Sequence, residues 1–241
     1  MVYHDFKAMI LAAGRGERMR PLTDTIPKPL LRAGSKMLIE YHLENLASAG
    51  FKEIVINHAY LGHMIENALG DGTRYGLTIQ YSKETIKLET AGGIANALPL
   101  LTTNSPNSPF LVVNGDIYCS FDLSTLLPDL QRLGSKSNHD LAHLILIPNP
   151  PHHPEGDFCL SDQNRIIATG SPKQTFSGIG VYLPLLFKHI PLNCPTRLAP
   201  ILHQAITDHQ VSGRLFSGEW FDIGTPDRLH ELDQQLQTQQ T

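Results

Sequence analysis

One apolar run opens directly into a loop dense in glycine and arginine, Leu11-Ala12-Ala13-Gly14-Arg15-Gly16-Glu17-Arg18-Met19-Arg20, and Pro27-Lys28-Pro29 follows. Glycine lets main-chain N–H groups come close to phosphate oxygens, and arginine presents a planar pair of donors that matches two of them. Prolines on both sides of Lys28 restrict its backbone, which can hold its ammonium in place. The segment lacks the G-K-[ST] of a P-loop and the third glycine of a dinucleotide fingerprint. Gly14-x-Gly16 alone would be an ordinary tight turn with solvated arginines. Combined with the arginines and Pro27-Lys28-Pro29, it points to phosphate.

Two carboxylates stand where a hard cation could use them. Asn114-Gly115-Asp116 closes a second apolar run. Magnesium takes one or two carboxylates and fills the rest of its shell from substrate phosphates and water. Trp220-Phe221-Asp222-Ile223-Gly224-Thr225-Pro226 offers the second. There Thr225 and Pro226 also read as the cap and first turn of a helix, and both roles can hold together. Glu89-Thr90-Ala91-Gly92-Gly93 is a third loop entering a helix. It is either a plain helix start or a place where a base or sugar lies against the main chain.

Other chemistries find less support. Twelve histidines include the pair His152-His153, but neighbours on a chain point different ways and no H-E-x-x-H spacing occurs, so a solvated loop fits better than zinc. Cys119, Cys159 and Cys194 are odd in number and far apart, which argues against a disulfide framework or a cysteine zinc site. No nucleophile elbow is present.

The elements that must position these residues alternate strand with helix. Strands are expected at Lys7–Ala13, Glu53–Asn57, Leu77–Tyr81, Phe110–Asn114, Leu141–Ile147 and Gly178–Leu183. Helices are expected at Met37–Ala49 (with Gly50 as its C-cap), Leu61–Leu69, Ala91–Leu98, Leu198–Ile206 and Asp227–Leu236. A hairpin turning at Ser161–Asn164 is expected within Asp157–Thr169. Continuously apolar strands between amphipathic helices imply a mostly parallel sheet covered on both faces, with ligands at the carboxyl ends of the strands.

The length of 241 residues fits a single domain, with a nucleotide-binding half at about 1–116 and a sugar-binding half at about 117–241. Net charge is -4 with no basic run, which speaks against nucleic acid. No apolar stretch reaches the roughly 18 residues of a membrane span. His4, Asp5 and Lys7 do not form a signal pattern, so the cytoplasm is the expected compartment.

Together these segments resemble the sugar-nucleotide pyrophosphorylase family, whose pattern L-A-A-G-x-G-x-R-M-x-P-L-T…P-K-P appears here at Leu11–Thr23 and Pro27–Pro29. The resemblance continues through Glu89–Gly93, Asn114–Asp116 and Phe221–Thr225. It implies an α/β, Rossmann-like, mostly parallel mixed sheet covered by helices, without a C-terminal left-handed β-helix. It also implies a magnesium-dependent enzyme that joins a nucleoside triphosphate to a sugar 1-phosphate.

Carried over residue by residue, the resemblance makes Arg15 and Lys28 catalytic. It assigns the nucleotide to Leu11, Ala13, Gly14, Arg15, Gly16, Glu17, Arg18, Lys28, Glu84, Thr85 and Gly92. The sugar phosphate falls to Asn114, Asp157, Ser177 and Gly178, and the metal to Asp116 and Asp222.

Within the family, Ile56–Gly62, Gly70–Gly76, Asn149–Pro150 with His152-His153, Gly156–Phe158, Phe176–Gly178 and Leu198–Pro200 resemble uridylyltransferases acting on N-acetylmuramic acid 1-phosphate, which implies UTP. Competing members act on mannose 1-phosphate with GTP, or on glucose 1-phosphate with a thymidine or uridine nucleotide. A non-catalytic nucleotide-sugar-binding module would be expected to have lost Arg15, Lys28, Asp116 or Asp222. Two departures stand out. Arg197 replaces a family lysine before Leu-Ala-Pro, and Ser171-Pro172-Lys173 lacks an acidic residue common in relatives.

Overall fold

A computed structural model describes residues 6–103 and 105–238; His4, Asp5 and residues 239–241 lie outside them. The strands in chain order are β1 (Ala8–Leu11), β2 (Arg32–Ala33), β3 (Lys36–Met37), β4 (Glu53–His58), β5 (Thr78–Lys83), β6 (Phe110–Asn114), β7 (Ile117–Cys119), β8 (Ala142–Ile147), β9 (Cys159–Leu160), β10 (Ile166–Ile167), β11 (Thr175–Tyr182), β12 (Val211–Leu215) and β13 (Trp220–Asp222). The helices are α1 (Leu38–Ser48), α2 (Gly62–Leu69), α3 (Glu89–Leu101), α4 (Leu127–Leu133), α5 (Leu198–Thr207) and α6 (Pro226–Thr238).

Seven strands form the central sheet in the order β12-β8-β11-β6-β1-β4-β5. Every neighbouring pair is parallel except the two made by β11, which runs antiparallel to β6 and β8. The sheet is therefore mixed and mostly parallel, as the apolar runs imply. Its inner strands β1 and β6 are nearly continuous apolar runs because both faces are covered, whereas the edge strand β5 alternates buried with exposed residues. Ala8 and Ile10 of β1 pack under α1, α2 and α4, whereas Met9 between them packs under α3 and α5.

The chain crosses from β1 to β4 and β5 on one side and to β6 on the other. That reversal leaves a crevice at the carboxyl ends of β1 and β6, the usual ligand position in such sheets. In register, Leu11 stands between Asn57 on β4 and Asn114 on β6. A third apolar cluster lies beneath the phosphate-type loop. Met19, Leu31, Ala33 and Leu38 meet Ile223 and, from α6, Leu232 and Leu236. Gly34 N–H donates to Asp233 Oδ1 of α6 at 2.7 Å.

The structure departs from the sequence expectations in places. Helix α3 begins at Glu89 instead of Ala91, and β11 begins at Thr175 instead of Gly178. The register of β11 against β8 shifts between Phe176 and Gly180, so Ser177 and Gly178 sit in an irregularity that re-aims the strand. The hairpin expected at Ser161–Asn164 joins β9 to β10, which are paired antiparallel. Strands β7 and β13 pair antiparallel, Trp220 to Cys119 and Asp222 to Ile117. Each is three residues long, too short for a period to show.

Candidate active site

The crevice holds about 430 Å³ and is walled by Leu11 to Met19, Lys28, Glu84, Asn114 and Asp116, joined by Asn57, Lys87, Glu89 and Thr90. Its floor begins where β1 gives way to the loop. Gly16 takes φ 67°, and a Cβ there would come 3.0 Å from Thr23 Cγ2 and 3.3 Å from Lys28 Cβ. Glycine is required at this turn on both counts. The Thr23 hydroxyl donates to the Gly16 carbonyl at 2.8 Å, and fully buried Met19 anchors the far side of the loop.

The three arginines separate in space. The Arg15 guanidinium lies 4.8 Å from the centre of the Tyr60 ring. Arg18 turns the other way. A Cβ on Gly224 would meet Arg228 Nη2 at 2.8 Å, Asp222 Oδ2 at 3.1 Å and Arg18 Nη2 at 3.2 Å. Glycine at 224 therefore lets two guanidinium groups gather beside one carboxylate. Arg20 pairs with Asp24 at 3.1 Å on the surface.

Lys28 lies in the 3-10 turn Lys28–Leu30 and is 7 % exposed; its Nζ is 2.8 Å from Asp116 Oδ2. Asp116 and Asp222 are brought together by the β7–β13 ladder. Ile223 N–H donates to the Asp116 carbonyl at 2.8 Å, and Asp222 pairs with Ile117. Asp222 Oδ2 meets Arg228 Nη1, and Asp222 Oδ1 stands 2.8 Å from His152 Nε2. Oδ1 is nonetheless buried and accepts no well-directed hydrogen bond. An under-used buried carboxylate oxygen beside a second carboxylate suits a hard, oxygen-seeking cation such as magnesium. Among the described residues no cluster of three or more metal-ligating side chains occurs, so a cation here would draw its remaining ligands from phosphate and water.

On the crevice wall formed after β5, Glu84 is buried and Asn57 Nδ2 donates to its Oε1 at 2.7 Å. Leu88 N–H donates to Oε2 at 3.2 Å. Burial raises the Glu84 carboxyl above its ordinary value, against the pull of these two donors. Thr85 is exposed in the same loop. Gly92 faces elsewhere. Ala91 N–H and Gly92 N–H both donate to the Thr196 carbonyl, and a Cβ on Gly92 would meet the Cys194 carbonyl at 2.4 Å. Its missing side chain thus admits the segment before α5, at whose N-cap Arg197 is exposed.

The sugar-side residues sit at different depths. Asn114 lines the crevice, and a Cβ on Gly178, at φ 85°, would come 2.7 Å from Asn114 Nδ2. Ser177 is wholly buried: its hydroxyl accepts Ile179 N–H at 3.1 Å and its carbonyl accepts the Trp220 indole at 2.8 Å. Asp157 accepts Phe176 N–H at 2.8 Å and meets His153 Nε2 at 3.2 Å. The adjacent histidines thus diverge as expected, His152 to Asp222 and His153 to Asp157. Asn149 holds their loop, donating to the carbonyls of Pro154 and Lys173 at 2.9 and 3.0 Å.

Asn57, Lys87 and Arg228 are the additions that the motifs did not supply. Asn57 carried a usable signal, since it ends an apolar strand as Asn114 does, on the other side of Leu11.

Residues 7–156 match the family described as nucleotidyl transferase. The chain is 52 % identical over 228 residues to the N-acetylmuramate alpha-1-phosphate uridylyltransferase of Neisseria meningitidis serogroup B, across 93 % of this chain and 96 % of that one. It is 30 % identical to the mannose-1-phosphate guanylyltransferase of Mycobacterium tuberculosis, of which it spans 63 %. A Bacillus anthracis structure described as a glucose-1-phosphate thymidylyltransferase, in complex with sucrose, superposes with a TM-score of 0.80 at 21 % identity over 96 % of this chain and 95 % of that one. HddC from Yersinia pseudotuberculosis, complexed with GMP-PN, superposes at 0.74 with 19 % identity over 95 % and 99 %. Both share the fold.

Proposed function

The chain belongs to the nucleotidyl transferase family and is a sugar 1-phosphate nucleotidyltransferase, and from that premise we propose that it transfers UMP from UTP to N-acetylmuramic acid 1-phosphate. The products are UDP-N-acetylmuramic acid and pyrophosphate, formed in the cytosol during peptidoglycan recycling. The observation that carries the reaction type is the glycine–arginine loop, Lys28 and Asp116 meeting at one strand-order reversal. The sugar rests on the identity to the N. meningitidis enzyme over nearly its whole length.

A sugar phosphate oxygen is already anionic near neutral pH, so no general base is needed. It attacks the α-phosphorus, the bond to the β-phosphate oxygen breaks, and pyrophosphate leaves. The problem is to bring two anions into line and to stabilise the charge that develops. Main-chain N–H groups of Gly14 to Arg18 hold the departing phosphates, with Arg18 on the side of Asp222 and Arg15 on the side of Tyr60. Lys28 exchanges Asp116 for the α-phosphate. Asp116 and Asp222 would hold Mg²⁺, whose charge offsets that of the phosphates. Leu11, Ala13, Glu84 and Thr85 border the base and ribose, while Gly92 seats the segment before α5 behind them. Glu84 accepts N–H donors, and uracil offers one at its ring N3. Asn114, Asp157 and Gly178 border the sugar, with buried Ser177 behind them.

The deciding experiment measures pyrophosphate release with Mg²⁺ across UTP, GTP, CTP, ATP and dTTP, each with N-acetylmuramic acid, mannose and glucose 1-phosphates. UTP with N-acetylmuramic acid 1-phosphate should give the highest kcat/KM. A preference for GTP with mannose 1-phosphate would overturn the substrate assignment, and no turnover with any pair would overturn the reaction.

A further inference from the structure

Asn57 is 3 % exposed, and its side-chain amide bridges the start of the phosphate-type loop and the loop after β5, both of which line the crevice. Its Oδ1 accepts Ala12 N–H at 2.8 Å, where β1 enters the phosphate-type loop. Its Nδ2 donates to Glu84 Oε1 at 2.7 Å, and Glu84 Oε2 accepts Leu88 N–H at the entry to α3. The path Ala12–Asn57–Glu84–Leu88 therefore joins the ends of β1, β4 and β5 to the start of α3. Helix α3 packs directly on it: a Cβ on Gly93 would lie 2.7 Å from Glu84 Oε1 and 2.8 Å from Asn57 Nδ2.

An amide is needed at position 57, because one face must accept and the other donate. Aspartate has no donor for Glu84, and leucine has neither group. A buried carboxylate that faces such a bridge is costly where apolar packing would join the same strands. Both partners also line the crevice itself. These features favour a role in ligand geometry over one in packing alone.

We propose that Asn57 is a positioning residue that fixes the separation between the triphosphate and base subsites, so that both ends of one nucleotide are engaged at once. The proposal rests on the nucleotide orientation given above, with phosphates at Gly14–Arg18 and the base toward Glu84. Two half-sites held at the right spacing bind a linked ligand far more tightly than either part, and a loosened spacing loses that gain without harming either half.

Isothermal titration of the full chain with Mg²⁺ and UTP, without sugar phosphate so that nothing turns over, tests the idea. Inorganic pyrophosphate serves as the probe of the phosphate half alone. Asn57→Asp should weaken UTP about ten-fold or more while pyrophosphate stays within about three-fold of wild type. The exchanged pair Asn57→Asp with Glu84→Gln restores donor and acceptor in reversed order, and should bind UTP more tightly than either single variant. If Asn57→Asp does not fold, the exchanged pair is compared with Glu84→Gln alone, and the same recovery is expected.

Unchanged UTP binding in Asn57→Asp, an equal loss for UTP and pyrophosphate, or an exchanged pair no better than Glu84→Gln would each overturn the proposal. If wild type binds GTP and not UTP, the substrate assignment fails, and the same cycle run with GTP still decides the role of Asn57.

Discussion

Lys28 Nζ stands 2.8 Å from Asp116 Oδ2, so the cation proposed to meet phosphate and the carboxylate proposed to meet the metal neutralise each other within the protein. Replacing Lys28 removes a phosphate donor and leaves Asp116 without its partner. Lys28→Met should lower kcat/KM at least about 100-fold, the scale seen when a charge-stabilising donor is lost. Lys28→Arg should recover only part, because a planar guanidinium does not fit where a point charge is held between two prolines. Steady-state kinetics decides it, and full activity in Lys28→Met would remove this residue from the mechanism.

Arg18 and Arg15 should not be equivalent. Arg18 Nη2 lies against Gly224 beside Asp222, whereas Arg15 stacks on Tyr60. Arg18→Ala should cost about 100-fold or more in kcat/KM, and Arg15→Ala about ten-fold or less, since an exposed stacked arginine contributes under about 1 kcal/mol through the ring. The reverse ranking would place Arg15 at the reacting phosphates.

Asp116→Asn and Asp222→Asn should each cost about 1000-fold, equivalent to several kcal/mol of lost charge stabilisation. Circular dichroism should be unchanged. Titration of Mn²⁺ followed by electron paramagnetic resonance should show weaker binding in both variants. Normal Mn²⁺ binding in Asp222→Asn would reduce the metal site to Asp116 alone.

Gly178→Ala should lose both stability and activity. Its φ of 85° is unfavourable for any L side chain, and the added Cβ would press on Asn114 Nδ2 at 2.7 Å. Strain of about 1–3 kcal/mol is expected in urea unfolding, with a rise in KM for the sugar phosphate greater than that for the nucleotide. Equal changes in both KM values would separate Asn114 from the sugar.

His42 and His143 are held neutral by burial, each lowered from 6.5 to about 4. As pH falls, the unfolded chain takes up these protons first. Their contribution to stability is complete above about pH 6.5 and is lost between about 6.5 and 4, at no more than about 1.4 kcal/mol per pH unit for each. Denaturant unfolding at pH 7, 6, 5 and 4 should show this decline, and His42→Gln and His143→Gln should each flatten it. An unchanged slope in both variants would assign the acid limb to other groups.

How legible all this was in the sequence depended on range. Strands β1 and β6 declared themselves because burial on both faces leaves Ala8–Leu11 and Phe110–Val113 apolar without a break. The turn at Gly16 was legible because glycine and its neighbours are one local unit. The Lys28–Asp116 pair spans 88 residues, so both members could be named but not their contact. The convergence of His152 on Asp222 and Arg228 joins two distant segments, 76 positions apart between His152 and Arg228, and has no local pattern. Gly92 could be singled out, yet its requirement comes from the Cys194 carbonyl, far along the chain. The start of α3 was hidden because Glu89 takes a left-handed φ of 59°, which its residue type does not advertise.

The seat of α6 against Met19, Leu31 and Ala33 sets a time at which the nucleotide end of the crevice can first exist. Gly34 and Asp233 are 199 positions apart, so at about 5–20 residues per second a ribosome needs roughly 10–40 s between them. During that interval the apolar underside of the glycine–arginine loop has no cover, although every residue of the loop has already emerged. Nascent chains arrested before Pro226 should therefore fail to retain UTP and should recruit hydrophobe-binding chaperones. Chains arrested with α6 fully outside the exit tunnel should bind the nucleotide and lose the chaperone.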